Sequence, residues 1–148
     1  AAQGVLFQGV NGSAPIITMD GSLQVLSPNP PYAGDFAAFF TNAVDWVEFD
    51  AGYWNDRYTG IIELYDENIN YLASFTNQFT YLELGYNYEH FSFHGYGPIG
   101  AVYFHSSNDL AGAAMDNLDF SAPIPEPATI ALVGLGLLGL GARLRKRS

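Results

Sequence analysis

The sequence contains three histidines, the residues here with the most varied possible chemistry, and two of them lie in the short segment 90–94. Imidazole can bind zinc or transfer protons near neutral pH. Side chains alternate along a strand, so His90, Ser92 and His94 share one face. Residues four apart on a strand are ~13 Å apart, which is too far for two ligands of one zinc ion. We therefore interpret this face as polar and solvated, rather than as a zinc site completed by His105.

The loop 52–60 mixes aromatic rings with polar groups. Sugars bind such mixtures, because their C–H faces stack on rings while their hydroxyls pair with Asp and Arg. The candidate carbohydrate-binding residues are Trp54, Asp56, Arg57 and Tyr58. The alternative is that Tyr53 and Trp54 complete a core strand and Arg57 forms a surface ion pair.

Motifs for enzyme chemistry are lacking in the sequence. Without cysteine there is no thiol catalysis, disulfide or Cys-ligated zinc. Neither Gly-x-Ser-x-Gly nor His-Glu-x-x-His occurs. The segment 134–139 satisfies G-x-G-x-x-G, but too few residues follow it to build a dinucleotide-binding unit. We therefore expect a protein that is not an enzyme.

Charge divides the chain into two unequal parts. The 148 residues carry a formal net charge of −10, with 15 acidic residues against 5 Lys and Arg. Four of the basic residues lie among the last six positions: Arg143, Arg145, Lys146 and Arg147. The remainder is strongly acidic and would be repelled by the phosphates of nucleic acid. We expect a domain at 1–122, a tail at 123–148 and no nucleic-acid partner.

The tail has the features of a short membrane segment. No charge interrupts residues 128–142. Pro127 suits the first turn of a helix, and a helix over 127–144 would span ~27 Å, against ~30 Å for the hydrocarbon core. The basic cluster 143–148 should stay on the cytoplasmic side and act as a membrane stop, which leaves the acidic domain on the opposite side.

Three features of the tail occur in a fixed order: Pro125-Glu126-Pro127, a Gly/Leu-rich apolar run and a basic terminus. Together they resemble a PEP-CTERM sorting signal, found on exported proteins of Gram-negative bacteria that make exopolysaccharide or biofilm matrix. The resemblance implies recognition and cleavage by an exosortase in the inner membrane. It also implies that the protein is anchored in that membrane before processing and then reaches the cell surface or the extracellular space.

The acidic domain contains short apolar runs separated by Gly, Pro, Asn and Asp. In the segment 45–51, alternation sends Val47 and Phe49 to the core and Glu48 and Asp50 to the outside. The predicted strands are 5–8, 16–19, 23–26, 45–51, 60–65, 71–75, 79–84, 90–94, 101–105 and 114–120. Such spacing predicts an all-β fold, an antiparallel β-sandwich, followed by a single C-terminal hydrophobic helix.

Segments 47–54 and 114–120 resemble the jelly-roll, galactose-binding-like domains that often precede PEP-CTERM tails. That resemblance implies a jelly-roll-like sandwich acting as a carbohydrate-binding module or as an inert surface domain. Such domains usually begin with one more N-terminal strand, and an exported protein requires a signal peptide. We expect that this chain lacks both the strand and the signal peptide. Our expected function is an exported, non-enzymatic surface or matrix protein associated with exopolysaccharide. The alternative is a module that binds exopolysaccharide.

Jelly-roll modules of this type often hold a structural Ca²⁺, a hard cation that needs clustered oxygen ligands. Asp116, Asn117 and Asp119, together with Asp20 or Asp50, form the candidate calcium set. The alternative is that Asp116 and Asn117 terminate or bulge a strand, with their side chains bonded to the local backbone.

Overall fold

The computed structural model describes residues 4–9, 15–20, 23–28, 34–80, 82–84, 88–107 and 113–121. These ranges contain eight strands, all paired antiparallel. They are β1 Val5–Gly9, β2 Ile16–Asp20, β3 Leu23–Ser27, β4 Phe36–Gly52, β5 Gly60–Tyr65, β6 Tyr71–Thr76, β7 Tyr88–Ser106 and β8 Ala114–Phe120. The predicted all-β antiparallel fold is confirmed. Within these ranges no helix is long and apolar enough to cross a membrane, and the predicted C-terminal helix lies outside them.

Strands β4 and β7 are longer than the sequence predicts, because each continues through a bend. The predicted strands 90–94 and 101–105 are two parts of β7, and 45–51 is the second part of β4. Their pairing is irregular between the pair Phe39–Ala101 and the pair Trp46–His94. Such irregularities bend a strand and raise its twist. Glycines at φ 77° and 93°, in positions 95 and 97, supply the conformations that this bend requires.

The two bends fold one continuous sheet into two packed layers. The sheet has the order β2-β3-β8-β4-β7-β5-β6, and β1 pairs with the first part of β4. Layer 1 contains β1, β5, β6, the first part of β4 and the second part of β7. Layer 2 contains β2, β3, β8 and the remaining parts of β4 and β7. Phe49 of layer 2 meets Phe104 of layer 1 with ring centroids 5.0 Å apart, and Phe93 meets Phe75 at 4.6 Å.

The alternation predicted for 45–51 is confirmed. Val47, Phe49 and Ala51 are 0% exposed, whereas Glu48 and Asp50 lie on the outward face of layer 2 and are only partly covered. Burial of apolar side chains between the layers is the main favourable contribution to folding. The same alternation therefore fixes which side chains remain available for a ligand.

The strand predicted at 79–84 is wrong, because the described residues there form turns. Asn77, which is fully buried, holds this region through its amide. Its Nδ2 donates to the carbonyl oxygens of Asp56 and Phe79 at 2.9 and 2.8 Å, and its Oδ1 accepts from Gly60 N at 2.8 Å. These bonds satisfy three backbone groups and hold residues 56, 60 and 79 close to Asn77.

Candidate ligand-binding faces

Trp54 lies in the core, not on the surface. It is 1% exposed and packs edge-on against Phe91, with ring centroids 6.2 Å apart. Gly60 approaches so closely that a Cβ there would fall 2.1 Å from the indole. The prediction that Trp54 stacks on a sugar is wrong, because the chain after β4 continues the core. Trp54 is a core residue, as the alternative states, but it follows the end of β4 at Gly52 and is not part of a strand.

Arg57 forms a surface ion pair, as the alternative interpretation of the loop 52–60 states. Its guanidinium donates two hydrogen bonds to the carboxylate of Glu83 at the protein surface. These bonds, with a further one from Thr80 N, lower the pKa of Glu83 to about 2. Asp56 and Tyr58 are exposed in the same loop, and their part in carbohydrate binding stays a prediction.

Two of the candidate calcium residues, Asp116 and Asp119, bond to the local backbone. The carboxylates of Asp116 and Asp119 each accept from the next backbone N–H, at 2.8 and 2.9 Å. Asn117 has φ 52°, in the left-handed region, and the register against β4 shifts beside it, as in a bulge. No group of three or more histidines and acids in the described residues is arranged to hold a metal ion. Asp116 bonds to the local backbone beside the register shift, as the alternative states, whereas Asn117 bonds to Asp50 across the strands. The side chain of Asp20 lies outside the described part of the structure, and calcium binding by this set stays a prediction.

A polar ladder covers the outward face of layer 2, where β4 and β7 pair. Trp46 lies opposite His94, and their rings stack 5.4 Å apart at an angle of 16°. His94 Nε2 lies 3.0 Å from Glu48 Oε1, and Ser92 Oγ donates to the same oxygen at 2.7 Å. These two hydrogen bonds lower the pKa of Glu48.

The ladder continues at Asp50, one carboxylate further along β4. Asp50 Oδ1 lies 2.8 Å from His90 Nδ1, and Asp50 Oδ2 accepts from Asn117 Nδ2 at 2.7 Å. His90 and His94 therefore face different carboxylates, whereas His105 lies in layer 1, 3.8 Å from Glu63. The structure does not bring the three histidines together.

The ladder makes stability sensitive to acid. Because the pKa of Glu48 lies below its ordinary value of 4.5, the ionised group stabilises the fold above pH 4.5. That contribution is lost as the pH falls through the lower folded pKa. The free energy of unfolding of the wild type should fall between about pH 5 and pH 3. We expect this fall to be smaller in Glu48→Gln, as measured by urea denaturation. The control is Glu67→Gln in an exposed turn, and equal slopes for the two variants would contradict this prediction.

A shallow depression, which we call the aromatic bowl, lies on the outward face of layer 1. Its volume is about 220 Å³, and its lining consists of Ala37, Phe39, Tyr65, Ile69, Ala101 and Tyr103. The strand register builds it. Ala101 on β7 lies between Phe39 on β4 and Tyr65 on β5, and Ala37 lies opposite Tyr103. Small residues thus form the floor, and larger rings form the walls.

Two carboxylates hold the tyrosines of the bowl. Tyr65 Oη donates to Glu63 Oε2 at 2.7 Å, and Tyr103 Oη donates to Asp35 Oδ2 at 3.1 Å. The bond to Glu63 raises the pKa of Tyr65 to about 12, and burial together with Asp35 raises that of Tyr103 to about 12. Both phenols therefore keep their protons at neutral pH. Each O–H is already used in a hydrogen bond to a carboxylate.

The bowl was not among the sites predicted from the sequence. The only sequence signal for it is the alternation of 60–65 and 101–105, which sends Glu63, Tyr65, Ala101 and Tyr103 to one side. That these strands are neighbours, and that Phe39 faces them, depends on the register of the sheet.

Known proteins resemble this chain in two separate ways. Three solved structures of mutants of CBM29-2, a family 29 carbohydrate-binding module, are similar to it. One has 13% identity and a TM-score of 0.41, covering 86% of this chain and 99% of that one. The second has 12% identity and a TM-score of 0.43, and covers 86% of this chain and 99% of its own. The third has 13% identity and a TM-score of 0.39, and covers 83% of this chain and 98% of its own. No curated protein matches the chain.

The C-terminal match is of a different kind, because it concerns a defined motif. Residues 123–146 match the family described as the PEP-CTERM protein-sorting motif. The matched range contains Pro125-Glu126-Pro127, the uncharged run and most of the basic cluster, in the order that the sequence analysis identified. This chain therefore carries a PEP-CTERM protein-sorting motif.

Proposed function

We propose that this chain is an exported, non-enzymatic surface or matrix protein that is sorted through its C-terminal tail. The match at residues 123–146 carries this proposal. In it, an exosortase recognises Pro125-Glu126-Pro127, residues 128–142 cross the inner membrane, and the basic cluster 143–148 holds the end in the cytoplasm. Domain 1–122 is the cargo, and it reaches the surface or the extracellular space of a Gram-negative cell after processing.

A tail transplant tests the sorting function without the domain. Residues 123–148 are fused to an exported reporter and expressed in strains with and without an exosortase. We expect membrane retention of the intact fusion without the enzyme, and release of a shortened reporter with it. In the control fusion, Arg143, Arg145, Lys146 and Arg147 are replaced by Asn, which removes the membrane stop. Equal fractionation of the first fusion in both strains would contradict the proposal.

A second candidate function is binding of a polysaccharide by domain 1–122. It is favoured by the outward faces of both layers, where aromatic rings lie beside carboxylates. Such faces suit sugars, which offer C–H surfaces and hydroxyls together. This function would keep the processed protein in an exopolysaccharide matrix. A polysaccharide-binding assay decides whether the domain acts in this way or only as a surface component.

A further inference from the structure

We propose that the aromatic bowl binds a sugar ring of a polysaccharide, and that this ring is uncharged or carries an amino group. The proposal rests on the second candidate function, polysaccharide binding, and adds the site and the ligand class.

The shape of the bowl suits the flat face of a sugar. Phe39, Tyr65 and Tyr103 stand around a floor of Ala37 and Ala101, which leaves space that larger side chains would fill. C–H groups of a pyranose would contact the rings and displace water from apolar surface. The walls stand on three neighbouring strands, so little side-chain ordering is needed when a ligand binds.

The polar groups at the rim of the bowl accept hydrogen bonds. Asp35 and Glu63 are acidic, and the hydroxyl protons of Tyr65 and Tyr103 already go to these carboxylates. A ligand must therefore bring donors, such as hydroxyls or an ammonium group. A uronate or sulfate brings acceptors and negative charge, and the acidic rim would repel it. The imidazole of His105, 3.8 Å from Glu63, is the only basic group described beside this rim.

The ladder on layer 2 is a poorer site, because its groups already satisfy one another. Glu48 interacts with Ser92 and His94, and Asp50 with His90 and Asn117. His94 also covers one face of Trp46. A sugar would have to break these contacts before it could form its own, whereas C–H contacts with the rings and the alanine floor of the bowl break no hydrogen bond.

Binding measurements on the full-length chain test both parts of the proposal. The probes are dextran and mannan as uncharged polymers, chitosan as an amine-bearing polymer and alginate as an anionic one. We expect binding to at least one of the first three, and binding to alginate at least about tenfold weaker. The test variant Ala101→Leu fills the floor, and Tyr103→Phe removes one acceptor while keeping the ring. We expect Ala101→Leu to weaken binding about tenfold or more, and Tyr103→Phe to weaken it less.

The matched control is Trp46→Ala, which removes a ring from the opposite layer. Each variant is first compared with the wild type by thermal unfolding, and if Ala101→Leu does not fold, Tyr103→Phe decides alone. Binding that is lost in Trp46→Ala and kept in the bowl variants would overturn the bowl as the site while leaving polysaccharide binding intact. Alginate bound as tightly as the other probes would overturn the ligand class. A wild-type chain that binds none of the four would overturn the second candidate function itself.

Discussion

Replacing Phe49 by alanine is expected to lower the free energy of unfolding by about 3–5 kcal/mol. Phe49 is 0% exposed, and its ring contacts Phe91 and Phe93 within layer 2 and Phe104 in layer 1. Its loss leaves a cavity at the point where the two layers meet. Small domains have a total stability of about 5–15 kcal/mol, so this variant should be marginally folded. Urea denaturation followed by tryptophan fluorescence measures the change.

Two further variants separate the contact between layers from a general loss of apolar surface. Phe49→Leu keeps most of the volume and should cost clearly less than Phe49→Ala. Leu6→Ala removes apolar atoms from a side chain that is 64% exposed, and should change stability by less than about 0.5 kcal/mol. A similar cost for Phe49→Ala and Leu6→Ala would contradict the packing of the two layers described for this fold.

Replacing Pro125, Glu126 and Pro127 together by alanine is expected to block processing in a host that has an exosortase. We expect the two prolines to disfavour both strand and helix in this segment, which would let a protease bind it in an extended form. The triple replacement removes both prolines and also the carboxylate of Glu126, which we propose that the exosortase recognises. We expect nearly all chains of this variant to stay full length in the membrane fraction, as measured by fractionation and immunoblotting.

The wild-type chain in a strain without the exosortase gene is the control, and it should give the same fractionation as the triple variant. The apolar run 128–142 is shorter than the ~20 residues of a usual spanning helix, and four glycines weaken it further. We therefore expect this run to act as a temporary rather than a permanent anchor. Release of the triple variant at the wild-type rate would show that the motif does not direct cleavage.

Local alternation predicts much of this fold, because a buried face leaves a period of two in the sequence. It identified the inward residues of 45–51 and the strands 60–65 and 71–75, which the structure pairs as β5 and β6. It missed the continuity of β4 and β7, since the bends around 40–45 and 95–98 interrupt the period. The turn at 79–84 was missed because side chains bond to its backbone, Asn77 donating to Phe79 O and Glu83 accepting from Thr80 N, and composition alone does not reveal such bonds.

The candidate sites differ in how far sequence can predict them. Trp54 belongs to an aromatic, polar loop that resembles a sugar site, but its indole is covered by Phe91 and Gly60. The bowl, in contrast, exists only because three strands lie in one register, which pairs Ala101 with both Phe39 and Tyr65. The sorting motif at 123–146 was predicted directly, because its three features follow one another along the chain.

Intact-mass analysis of the surface fraction tests the central claim, sorting and cleavage through the C-terminal motif. The sample is wild-type protein from a cell with an active exosortase, and the comparison is the membrane fraction of a strain without that enzyme. We predict a mature chain that ends near Pro125-Glu126-Pro127 in the first sample and a full-length chain in the second. Full-length chains still carrying residues 143–148 in the surface fraction of the first strain would contradict processing and indicate a permanent C-terminal anchor.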